Sequence, residues 1–106
     1  MSVIGSLRHR VTLLDPVRTP DGGGGADIAY EERETVWAAA EDRSTGLSRL
    51  AGRYARLVRR RFALRAAVEI GFSTRLAHEG RTFRVTDIRA VSGPKPYQLV
   101  TTEEVR

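Results

Sequence analysis

Through most of this chain apolar residues recur at every second position, and that period is the strongest limit on what it can fold into. Leu7, His9, Val11 and Leu13 alternate with Arg8, Arg10 and Thr12, the signature of a strand with one buried face. Asp15-Pro16 stops it. Ile28 to Glu41 reads as a second, longer strand whose centre, Thr35 to Ala40, is apolar on both faces. That pattern suits a strand held between the core and another surface, with Trp37 expected as an anchor in the core, or else at an interface. Val58, Arg60, Phe62, Leu64 and Ala66 then alternate with Arg59, Arg61, Ala63 and Arg65. Arg75–Glu79 and Thr82–Ala90 flank Gly80-Arg81, a hairpin signal. After the turn at Ser92–Pro96, Tyr97 to Thr102 makes the last strand.

Two stretches depart from the period. Residues 15–27 read as a loop, and its part over 18–27, with Gly22, Gly23, Gly24 and Gly25 in a row, is expected to be flexible. Between the second and third strands, Leu47, Leu50, Ala51 and Tyr54 fall on one helical stripe, with Arg49, Arg53 and Arg56 opposite. Gly46 and Gly52 weaken a helix there by ~1 kcal/mol each. The expectation is therefore one short helix or a long loop. The fold class is mainly β: a small antiparallel barrel or sandwich of about six strands. At 106 residues the chain suits one domain, 1–106.

Charge is unevenly placed. Residues 1–42 hold Arg8, Arg10, Arg18 and Arg33 against eight acids, a net of −4. Residues 43–65 hold Arg43, Arg49, Arg53, Arg56, Arg59, Arg60, Arg61 and Arg65 with no acid, a net of +8. The remainder carries six bases and five acids, so the total is +5. Codon bias is the plain account of Arg outnumbering Lys, but it does not place the arginines. A basic block beside an acidic neighbour seeks phosphate or an acidic surface on another subunit, unless it is only a solvated face.

Chemistry is sparse. With no Cys, disulfides, thiol catalysis and Cys-based zinc sites are excluded. His9 and His78 have no metal-ligand spacing, Glu31, Glu32 and Glu34 read as a solvated strand edge, and no nucleophile motif accompanies the Ser and Thr residues. The expectation is no enzyme, no metal and no cofactor. No apolar run approaches the ~20 residues of a membrane span, so no membrane partner is expected. The chain does not open on a secretory signal, and synthesis in the cytoplasm is expected. A monomeric basic barrel that binds nucleic acid is the alternative. The block offers only Tyr54 and Phe62 for stacking, so contact with duplex phosphates fits it better than base reading.

The order of motifs resembles the head–tail joining family of tailed phages, also called head-completion or stopper proteins. Gly5-Ser6-Leu7-Arg8-His9-Arg10-Val11-Thr12-Leu13 resembles that family's opening, and Thr35-Val36-Trp37-Ala38-Ala39 its second strand. Arg59 to Arg65 and Glu79-Gly80-Arg81-Thr82-Phe83-Arg84-Val85-Thr86-Asp87-Ile88 resemble its third strand and late hairpin. Ala40-Glu41-Asp42-Arg43 and Thr45-Gly46-Leu47-Ser48 depart from the family's usual residues. The resemblance implies a structural virion part of a phage or a gene transfer agent, at the head–tail junction. It implies a homo-oligomeric ring, with a portal or adaptor protein on the head side, a tail terminator or tail tube on the other, and packaged double-stranded DNA held without sequence reading. In such a ring Arg49, Arg53 and Arg56 are expected to face the DNA channel or a neighbour. Arg59, Arg61 and Arg65, with Glu31, Glu32 and Glu34, are expected at subunit contacts, and Gly22–Gly25 as a docking loop.

Overall fold

The structure, a computed structural model, describes residues 7–50 and 53–105, with backbone alone for 44–50 and 53–57. Six strands follow one another: β1 (His9–Pro20), β2 (Ala26–Leu50), β3 (Arg53–Arg65), β4 (Arg75–His78), β5 (Arg81–Val91) and β6 (Tyr97–Glu104). They close into an antiparallel barrel in the order β1-β2-β3-β6-β5-β4. The barrel expected from the period is present, and closure removes the unpaired edges that an open sheet would leave around the core.

The alternating residues fill its interior. Val11, Leu13, Phe62, Leu64, Leu76, Phe83 and Val100 are fully buried, and the Phe62 and Phe83 rings meet edge to face at 5.7 Å. Two buried polar side chains stitch the wall to its surroundings. Thr102 Oγ1 donates to the Arg60 carbonyl at 2.7 Å. Gln98 Nε2 donates to the carbonyls of Arg65 and Val68, which holds the turn after β3 against β6.

Three local expectations are corrected. No helix and no long loop separates β2 from β3 among the described residues: β2 runs to Leu50, β3 starts at Arg53, and the two pair from Ala39↔Ala63 to Leu50↔Arg53. The helical spacing at Leu47–Tyr54 is incidental; cross-strand bonds continuing an existing ladder outweigh a two-glycine helix too short to nucleate well. Secondly, Trp37 is 53% exposed. Val36 lies opposite the buried Val11, and Ala38 is itself in the core, so the residue between them must point outwards. There the Arg10 guanidinium lies over its ring at 5.2 Å. Thirdly, the β4–β5 turn is Glu79-Gly80, closed by the His78↔Arg81 pair, not Gly80-Arg81. Both turn residues have positive φ, 52° and 75°, as a type I′ turn requires.

β2 changes partner along its length, and that shapes the molecule. Its first half pairs with β1, from Ala26 to Ala38, and its second half with β3 from Ala39 onwards. β4 covers β1 only at Thr12–Leu14. Asp15–Pro20 and Ala26–Arg33 therefore form a two-stranded arm beyond the barrel wall. β1 continues through Asp15-Pro16 to Pro20, contrary to the stop expected there, because β2 lies alongside to bond it, and the long loop expected over 15–27 shrinks to a tip at residues 21–25. There Asp21 Oδ1 accepts from the backbone N–H of Gly23 and Gly25, and Gly22 and Gly24 supply the positive φ the chain reversal needs.

Candidate assembly site

The arginine block is divided by strand parity. On β3, Val58, Arg60, Phe62 and Leu64 are buried, while Arg59 and Arg65 are exposed and Arg61 half-buried. Arg59, Arg61 and Arg65 thus share the outer face. The block is not uniformly free of carboxylates, contrary to its linear sequence: the fold brings acids from elsewhere. Arg59 lies 3.6 Å from Glu103, which also accepts from Arg84 at 2.9 Å. Arg43 pairs with Glu41 at 3.1 Å. Arg61 and Arg65 make no ion pair among the described residues. Arg53 and Arg56 stand on β3 and Arg49 on β2, in register with Leu50, Leu47 and Tyr54; their side chains lie outside the described residues.

The acidic residues gather on the arm. Glu31 and Glu32 are exposed on β2 opposite Asp15 and Leu14, and Glu34 is exposed opposite Leu13. A β-bulge at this point leaves Arg33 at the arm's root. Its Nε meets Asp15 at 2.8 Å, its NH1 meets Glu34 at 3.5 Å, and its NH2 donates to the Glu69 carbonyl. These bonds tie the arm to the segment after β3 beside a polar cavity of about 260 Å³ lined by Asp15, Arg33, Glu69 and Thr74. Gly22–Gly25 cap the far end of the arm.

A polar cluster closes one end of the barrel. Arg60, only 8% exposed, points inwards. Its Nε donates to Asp42 Oδ1 at 2.7 Å, and its NH1 lies 2.9 Å from His78 Nδ1 and 3.6 Å from Glu79 Oε2. His78 Nε2 lies 3.2 Å from His9 Nδ1. An Arg can only donate, so His78 Nδ1 must accept and its Nε2–H must donate to His9. Burial pushes His78 below its ordinary pKa of 6.5, more than Glu79 raises it, and Arg60 and His9 lower it further. His9, His78 and Glu79 are close enough together to share a metal ion. The direction of the hydrogen bonds opposes one: a metal on His78 Nε2 moves that ring's proton to Nδ1, directly against the Arg60 donor. The cluster lines a cavity of about 180 Å³.

Comparison with known proteins decides what kind of chain this is. A model of the phage head completion protein family matches residues 3–105. The chain belongs to the phage head completion proteins. The fold agrees with solved structures. A chain from the virion of a native gene transfer agent particle superposes with a TM-score of 0.80 at 22% identity, covering 93% of this chain and 96% of that one. The solution structure of a Shigella flexneri 2a protein gives a TM-score of 0.70 at 20% identity, covering 97% and 96%. No curated protein matches the sequence.

In this head completion protein the sequence pattern missed one constellation and one surface. His9 and His78 looked isolated because 69 positions separate them. The only signal was parity: both stand in phase with core residues, Val11 on β1 and Leu76 on β4. Those two strands meet in the barrel. Ile28, 61% exposed on the arm, carried no signal, because an apolar residue in a strand reads as buried.

Proposed function

We propose that this head completion protein is a subunit of a ring at the head–tail junction of a phage or gene transfer agent particle. The ring closes the DNA-filled head below the portal or adaptor and offers the tail its docking surface. The family match over residues 3–105 carries this reading. The charge distribution supports the ring, since a ring of like subunits needs two different, complementary faces on each. Arg49, Arg53 and Arg56, on the β2–β3 ribbon, are assigned to the DNA channel, where repeated copies would make a positive collar that holds duplex without reading it. Arg59, Arg61 and Arg65 with Glu31, Glu32 and Glu34 are assigned to subunit contacts, and Gly22–Gly25 to docking. The role is structural rather than catalytic. Electron micrographs of particles made without the protein test the reading: filled heads that leak DNA and lack tails are expected, and normal tailed particles overturn it.

A further inference from the structure

The outer wall of the barrel beside the arginines has an apolar centre. Barrel register puts Arg65, Tyr97 and Val91 in one row, and Ala63, Leu99 and Arg89 in the next. The side chains at Leu64, Gln98 and Val100 point inwards and are buried, so these rows face out. Arg61 follows in the third row, with Thr101 and the exposed Asp87. Tyr97 and Leu99 are half-buried, whereas Arg65 and Arg89 are exposed. Arg61, Arg65 and Arg89 have no ion-pair partner among the described residues. An apolar patch rimmed by unpaired guanidinium groups is the usual anatomy of a protein-binding face.

The arm has the opposite pattern. Side chains alternate along β2, so Asp27, Ala29 and Glu31 share one face of the arm, with Val17 across from Ala29, while Ile28, Tyr30 and Glu32 share the other, with Arg18 across from Ile28. On the first of these faces Asp27, Ala29 and Glu31 are exposed and Val17 is half-buried, and neither carboxylate has an ion pair among the described residues. Over residues 15–34 six carboxylates stand against Arg18 and Arg33 alone. The arm's backbone edges are also uncovered, because β4 stops at Leu14 and β3 begins only at Ala39.

We propose that the acidic β1–β2 arm of one copy docks on the β3–β6–β5 face of the next copy, with Val17 and Ala29 against Tyr97 and Leu99, and Asp27 and Glu31 against Arg65 and Arg89. Charge selects the occupant. Arm on arm opposes acid to acid, and face on face opposes Arg61, Arg65 and Arg89 to themselves with only Asp87 to offset them, so arm on face is the attractive pairing. Such a contact is head-to-tail, the kind that closes a ring. The proposal rests on the ring reading above and names the surfaces that reading leaves open.

The natural chain has no Cys, which allows a clean crosslinking test in assembled particles. Particles carrying Ala29→Cys with Leu99→Cys, oxidised and run without reductant, should give a ladder of covalent oligomers of this chain. Either cysteine alone should leave monomers. Ring density at the junction with no ladder overturns the arm contact and leaves the ring; no ring at the junction removes both. Charge exchange gives a second readout that is independent of cysteine chemistry. Asp27→Arg with Glu31→Arg, and separately Arg65→Glu with Arg89→Glu, alter exposed side chains only. Each variant alone should lower the yield of tailed particles at least tenfold, and producing the two together should restore it. A mixture no better than either variant overturns the proposed pairing.

Discussion

His78 shows how one buried side chain can make a structural protein sensitive to acid. Its Nδ1 accepts from Arg60 and its Nε2 donates to His9, an arrangement only the neutral ring can make. The unfolded chain takes up a proton near the ordinary pKa of 6.5, whereas burial holds the folded value lower. Between those two values the unfolded state binds more protons, so stability is complete above about 6.5 and falls as pH drops below it. Thermal unfolding at pH 7.5 and pH 5.5 should show that loss, and His78→Gln, which keeps polar contacts without titrating, should shrink it. Arg60 is the pivot of the same cluster. Arg60→Met strips Asp42 of its hydrogen bond and leaves the acceptor at His78 Nδ1 unpaired. Asp42 and Glu79 are well exposed, so water offsets part of the loss; urea denaturation should read about 1–3 kcal/mol.

At the scale of the element, the Glu79-Gly80 turn joins the barrel to its polar end. Two residues with positive φ let β4 and β5 pair up to His78↔Arg81, and that register aims His78 inwards. Gly80 at φ 75° has open space around an added Cβ, so Gly80→Ala costs only the backbone strain, ~1–2 kcal/mol. Gly71 also has open space and shows no left-handed φ, and Gly71→Ala should change stability by less than about 0.5 kcal/mol. Comparing the two midpoints separates backbone conformation from packing. The hand-over along β2 is the other decisive element-scale feature. One 25-residue strand serves the arm, the wall and the β2–β3 ribbon in turn, which sets the acidic and basic ribbons apart on one chain.

For the whole molecule, what matters is how much of the basic block the fold leaves available. Arg43, Arg59 and Arg60 are met by Glu41, Glu103 and Asp42 of the same chain. Arg61, Arg65 and Arg89 remain for a partner, and Arg49, Arg53 and Arg56 are assigned to duplex DNA. If those last three each bind a phosphate, affinity should fall linearly with salt concentration on logarithmic axes. Replacing the three by Gln should then make that slope shallower by about 0.9 for every phosphate no longer neutralised. A titration on two unrelated duplexes checks both the slope and the absence of sequence preference. A slope unchanged by the substitutions removes these arginines from the channel.

Much of the barrel was legible in the residues because a strand's period is local: the positions of Val11, Leu13, Phe62, Leu64 and Phe83 announce one buried face without reference to any neighbour. The basic block was legible for the same reason, since a count along the chain needs no fold. Strand pairing is not local. It turned Trp37 outwards by placing Val36 and Ala38 inside, and carried Leu47–Leu50 on as a strand because β3 lay alongside to bond it. It also brought Glu103 to Arg59, and His78 to His9 across a long stretch of sequence. Side-chain type and spacing alone thus determined that the chain forms strands and where its charge resides. Which charges stay free for another chain was decided only when the barrel closed, because Coulomb and hydrogen-bond partners are set by distance in space, not by position in the chain.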